Sequence, residues 1–218
     1  MNPGVWQSLH PNAGIGKMLY FDFMIRTANP FDAAAMLAIY APFIRESGIT
    51  QETGVPSVAD FAARIEKGLA GFPWLVYEEA GVPVGYAYAS RYRERAGYRW
   101  NVEVSVYLHP GYYGKGLARR LYDALFALLI IQGYINAYAV ITLPNEQSIR
   151  FHTRYGFEYF ATYKKVGFKL GSWHDVGWMQ YAIQPAETSP AEPVPFSKLD
   201  QQLIDTSLHS SNSKWLSV

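Results

Sequence analysis

The stretch VEVSVYLHPGYYGKGLARRLYDALFALLIIQ, residues 102–132, decides how this chain is read. Val102 to Leu108 is rich in β-branched and aromatic residues, with side chains alternating between two faces, as in a strand. His109-Pro110-Gly111-Tyr112-Tyr113-Gly114-Lys115-Gly116 breaks that pattern with proline and glycine. Leu117, Leu121, Leu125 and Leu128 then recur at helical spacing, with Ala118, Ala124 and Ala127 among them. A strand, a glycine-punctuated turn and a helix bring several backbone N–H groups together at a helix N-terminus. That arrangement binds anions and suits a pyrophosphate, although a plain tight turn would use the same glycines. Lys115 is followed by Gly116 rather than Ser or Thr, so the Walker loop does not fit, and the dinucleotide fingerprint does not fit either.

The 218 residues are enough for one domain with a sizeable core. A formal charge of +1 argues against a polyanion-binding surface, and with no recognition motif present it disfavours a nucleic-acid module. With no cysteine, the chain has no disulfide, thiolate zinc site or Cys nucleophile, which fits a reducing cytoplasm. Five scattered histidines without paired spacing argue against a metal site. No apolar run reaches the ~18 residues of a membrane-spanning helix.

Residues 1–23 lack a basic start followed by an apolar core and make a poor signal peptide, so they are set apart as an N-terminal extension. Met24–Ala28 reads as the first strand of a domain spanning residues 24–184, and Phe31–Ile44 as a helix that Pro42 bends or ends. Ser57 caps a second helix running to Leu69. Pro73–Glu79 and Val84–Tyr92 form a hairpin, followed by the basic, aromatic loop Arg91–Arg99 and the central strand. Gly133 ends the central helix, and Asn136–Thr142 is a buried strand. Gln147–Tyr155 is a short helix closed by Gly156. Phe157–Val166 and Val176–Ile183 alternate as strands, with residues 168–175 between them. From residue 185 to 218 the chain lacks periodicity and reads as a flexible tail. The order is that of an α+β domain around one mixed sheet.

The motif Gly114-Lys115-Gly116-Leu117-Ala118 after a Val-rich strand resembles the pyrophosphate loop of the Gcn5-related N-acetyltransferases (GNAT). Their pattern of Gln or Arg, two residues, Gly, one residue, Gly or Ala falls on Tyr113, Gly116 and Ala118, with Tyr113 departing from it. Leu143-Pro144-Asn145-Glu146-Gln147-Ser148-Ile149-Arg150-Phe151-His152 and Trp173-His174-Asp175-Val176-Gly177-Trp178 resemble one branch, the phosphinothricin and methionine sulfoximine acetyltransferases. The resemblance covers roughly residues 24–184. It implies a three-layer fold with a mostly antiparallel sheet between helices, acetyl-CoA as co-substrate, a small amino acid or analogue as acceptor, a role in antibiotic resistance, and a homodimer.

Acetylation needs a neutral amine, and an α-amine titrates near ~7.7–8.0, so a nearby base is useful. Glu103 lies early on the central strand, with Ser105 and Tyr107 on the same face. The resemblance makes Glu103 the general base; the other reading is a carboxylate paired with Arg99 or another cation. His152 is a proton shuttle or orienting group, or else a helix histidine satisfied by its neighbours. Backbone at Val106, Tyr107 and Leu108 should pair with the pantetheine arm, and an N–H there should polarise the thioester. The resemblance adds Gly114, Lys115, Gly116, Leu117, Ala118 and Arg119 at the phosphates and Asn145 on pantetheine. It places Arg93, Glu94, Arg95, Glu103, Val104 and Ser105 around the acceptor, with Arg93 favoured as a fork for a carboxylate or phosphinate. Trp74, Tyr98 and Trp100 are alternatives that would frame a different acceptor, such as a peptide N-terminus. A coenzyme-binding sensor without turnover is the remaining class.

Overall fold

A computed structural model describes residues 23–213; the expectations for residues 1–22 lie outside the described residues. Seven strands form one sheet: β1 (Phe23–Thr27), β2 (Trp74–Glu79), β3 (Val82–Arg91), β4 (Asn101–Leu108), β5 (Asn136–Leu143), β6 (Glu158–Lys169) and β7 (Ser172–Ala182). Their order is β1-β2-β3-β4-β5-β7-β6, and only β4 and β5 run parallel. That pair needs a crossover, which helix α3 (Leu117–Gln132) supplies.

Two cores follow from the alternation along the strands. On one face α3 buries Leu121, Leu125, Leu128 and Leu129 against Val102, Val104, Ala137 and Ala139. On the other, α1 (Ala33–Glu46) and α2 (Val58–Leu69) bury Met36, Ile39, Phe61 and Ile65 over Val76 and Tyr86. The expected three layers are present. Asn29 and Asp32 form a capping box ahead of α1, and the Ser57 hydroxyl accepts from the Asp60 N–H at 3.1 Å to start α2. Pro42 sits inside α1, which runs on to Glu46 despite the missing N–H.

Two expectations need correction. Residues 168–175 do not separate the last two strands. They are the tip of the β6–β7 hairpin, with Phe168 opposite Trp173 and only Leu170-Gly171 turning, both at positive φ. The tail is not unstructured either. Helix α5 (Gln201–Ser213) buries Ile204 and Leu208 in the main core together with Phe196. Two apolar residues one turn apart in a polar helix were too sparse a pattern to read.

Candidate active site

The site begins with a pairing that stops. β4 and β5 are in register only at Asn101–Asn136, Val102–Ala137 and Glu103–Tyr138, while β3 continues alongside β4 to Leu108. Beyond Glu103 the backbone of β4 therefore faces an opening rather than a neighbouring strand. This opening leads into a cleft of about 160 Å³ whose walls include Val106, Tyr107, Leu108, Tyr113, Ala118 and Asn145. A smaller recess of about 70 Å³ lies deeper, between Val104, Ser105, Ile141 and His152. An extended amide chain laid here would meet the unpaired main chain as a missing strand would.

The turn after β4 closes the outer end. Tyr112 N–H bonds the His109 carbonyl at 2.9 Å, and Tyr113 N–H bonds that of Pro110 at 3.2 Å. Gly114 and Gly116 have φ of 75° and 78°, where a side chain is strained, and the space before each is open. In α3, Arg120 N–H bonds Gly116 C=O, so the N–H groups of Leu117, Ala118 and Arg119 precede the first intrahelical bond. Lys115 lies over the Tyr112 ring at 4.6 Å and Arg119 over Tyr155 at 5.4 Å, both at the surface. The turn thus leaves the first α3 amides outside the helical ladder, whatever residue stands at 113.

Glu103 projects to the α1–α2 face with Ser105 and Tyr107. Partial burial raises its carboxyl above the usual range, and the nearby Arg93 charge works against that rise. Arg93 lies among aromatic rings, its guanidinium 5.0 Å from the Tyr92 ring and 5.4 Å from Trp178. Tyr92 stacks on Tyr138 at 4.4 Å, and Tyr138 is the residue beside Glu103 in the neighbouring strand. A carboxylate that can take a proton and a guanidinium that can hold an oxyanion therefore sit together at the inner end of the opening. Of the cations proposed to neutralise Glu103, Arg99 is engaged elsewhere, in an ion pair with Glu192.

His152, on α4 (Glu146–Tyr155), is buried. Its Nδ1 lies 2.8 Å from the Ser148 carbonyl, so that nitrogen carries the proton; Nε2, 3.0 Å from Tyr122 Oη, accepts from the phenol. Burial lowers its pKa to about 4, only partly offset by the Ser148 carbonyl, so the ring is neutral near pH 7. Asn145 caps α4 through Oδ1, accepting from Ser148 N–H at 3.1 Å, while it also lines the cleft.

The profile of the GNAT acetyltransferase domain matches residues 25–178. The chain belongs to this family. It is an acetyl-CoA-dependent N-acetyltransferase. It is 36% identical over 171 residues to the phosphinothricin N-acetyltransferase of Streptomyces viridochromogenes, covering 78% of this chain and 93% of that one. It is 38% identical to the L-methionine sulfoximine/L-methionine sulfone acetyltransferase of Salmonella typhimurium, covering 73% and 94%. A phosphinothricin acetyltransferase of Sinorhizobium meliloti in complex with acetyl-CoA superposes with a TM-score of 0.74 at 34% identity, over 81% of this chain and 98% of that one.

Within this acetyltransferase the expected residues divide. Val106 to Leu108, Tyr113, Ala118 and Asn145 line one cleft, and Tyr122 and His152 line the adjoining recess. Glu103 stands at the last β4–β5 register pair, with the Arg93 charge close enough to act on it. Ser105 also lines the recess, whereas the Val104 side chain is in the main core. Glu94 is exposed and pairs with Arg91 at 3.3 Å; Arg93 and Arg95 both line a separate cleft, against Glu192, Pro193 and Pro195. Trp74 is stacked on Tyr88 inside the second core, and Trp100 donates to the Ala191 carbonyl. Tyr92, Tyr138, Trp178 and Tyr122 had been given no role. Tyr138 lies on the face of Glu103 in the adjoining strand, a placement set by the β4–β5 register. Among the described residues no group of three or more His, Asp or Glu could hold a metal, and no helix is long and apolar enough to cross a membrane.

Proposed function

We propose that the acceptor is the α-amine of a small amino acid or analogue carrying an oxyanion, of the phosphinothricin or methionine sulfoximine type. Acetyl-CoA lies along β4, its phosphates at the amides of residues 114–118 and its pantetheine arm between β4 and β5 against Asn145. A β4 N–H in the recess polarises the thioester. Glu103 takes the ammonium proton, directly or through water, and the amine attacks the thioester carbon in a ternary complex. The C–S bond breaks as the C–N bond forms, and the thiolate leaves protonated, with Tyr122 and neutral His152 at the recess to pass the proton. Arg93 holds the acceptor's carboxylate or phosphinate.

The observation that carries this reading is the juxtaposition of Glu103 with Arg93 at the point where the β4–β5 pairing stops. A thiol-release assay over amino acids, sulfoximines and peptides tests it. Release with the amino-acid analogues supports it; release with peptides alone, or coenzyme binding with no release, contradicts it. Acetylating such inhibitors removes their free amine, which makes resistance the corresponding cellular role, exercised in the cytoplasm. A homodimer also belongs to the proposal. The edge strand β6 and its turn expose Phe160, Tyr163, Val166, Phe168 and Trp173, which favours a covering partner.

A further inference from the structure

The chain continues past residue 178, where the family profile ends, through an ordered extension. Its far part is firmly anchored. Phe196, Ile204 and Leu208 are buried in the main core. The Asn212 amide bonds both Ile25 N–H, at 2.9 Å, and Ile25 C=O, at 3.1 Å, on the edge strand β1. Nearer the sheet, the Gln132 amide donates to the carbonyls of Gly71 and Val194 at 3.0 and 2.8 Å.

Its near part touches the loop between β3 and β4. Trp100 Nε1–H donates to Ala191 C=O at 2.7 Å, and Arg99 pairs with Glu192. Within the loop the polar ties are local: Tyr98 N–H to Arg95 C=O, Arg99 Nε–H to Ala96 C=O, and Asn101 Nδ2–H to Tyr98 C=O. At its end the Trp100 carbonyl accepts from Ile135 N–H at 2.8 Å, and Asn136 Nδ2–H donates to Asn101 Oδ1 at 3.0 Å. Bonds that span three residues shape a loop but do not locate it on the protein. The Tyr92 ring stack fixes its start; its end is held by the start of β5 through the Trp100 backbone and by the extension through the Trp100 and Arg99 side chains.

We propose that the C-terminal extension is a strap that positions the acceptor loop, with Glu192 and Trp100 as positioning residues acting through the backbone on Arg93. This rests on the proposed role of Arg93 in acceptor binding. The Arg99–Glu192 pair is largely solvent-exposed and weak alone, so the indole donor and the ion pair act together.

The test is the double variant Glu192→Gln with Trp100→Phe in the full chain, read by amide hydrogen exchange and by KM for acceptor and for acetyl-CoA. The strap predicts exchange about tenfold faster over residues 93–99 and an acceptor KM about five- to tenfold higher, with the acetyl-CoA KM unchanged. Asn212→Ala, the comparison variant, loses the edge bonds and lowers Tm without moving the acceptor KM. Unchanged exchange, or an unmoved acceptor KM where Arg93→Ala raises it, overturns the strap. A matching rise in both KM values, following Tm, does so too. If Arg93→Ala itself leaves acceptor KM unchanged, the proposed acceptor site fails instead, and exchange alone decides whether the extension holds the loop.

Discussion

Along β4 the cleft has two halves that differ in what they are made of. From Val106 to Ala118 it offers main chain: a strand edge that β5 does not cover, two glycines at positive φ, and the first turn of α3. At Glu103 it offers side chains: a carboxylate, a guanidinium and the rings beside the guanidinium. Main chain cannot be altered by most substitutions, and acetyl-CoA is the ligand common to the family. Side chains are open to change, and the acceptor is the ligand that varies. The proposed division of labour follows: the outer half should tolerate mutation, and the inner half should set which amine reacts.

Substitutions should separate the halves. The largest effect is expected for Glu103→Gln, which keeps shape and removes the base; kcat/KM should fall about 100-fold or more with acetyl-CoA affinity unchanged, read by thiol release and coenzyme titration. Next comes His152, at the recess the halves share. Its folded pKa of about 4 is below the unfolded value, so the unfolded chain binds the proton first as pH falls. This contribution is present above about pH 6.5 and is lost progressively towards pH 4, amounting to no more than about 3 kcal/mol. Urea titrations at several pH values should show a shallower acid loss in a His152→Gln variant that remains folded. Arg93→Ala should raise the acceptor KM about 30-fold, or about 2 kcal/mol, and leave the acetyl-CoA KM alone.

On the outer half, Gly116→Val forces a side chain into positive φ and should raise the acetyl-CoA KM about tenfold while sparing acceptor selectivity. Lys115→Ala, which removes only an exposed charge, should change it threefold at most, or about 0.7 kcal/mol, and less in high salt. If Lys115→Ala proved as damaging as Gly116→Val, the main-chain account of the outer half would be wrong.

The same contrast explains what the sequence disclosed. The outer half was legible because glycine spacing, strand alternation and helix period are local signals, so residues 102–132 announced it. Glu103 was legible by parity along one strand. The Arg93 box was only half legible: Tyr92 precedes Arg93, but Tyr138 and Trp178 arrive from two other strands through register, which no single segment encodes. In a loop with four arginines only the resemblance favoured Arg93, and only the fold shows Arg99 taken by Glu192. The extension escaped notice because its helix is polar, and Ile204 and Leu208 become meaningful only against the α3 core.

The central claim is that the Glu103 carboxylate deprotonates the acceptor beside a thioester held on β4. The direct measurement is thiol release from acetyl-CoA with methionine sulfoximine across pH 6–9, for the wild type and Glu103→Gln at matched coenzyme saturation. The account predicts a variant slower by about two orders of magnitude near neutral pH, recovering part of the difference as alkali frees the amine on its own. A variant that keeps the full wild-type rate across that range would contradict it.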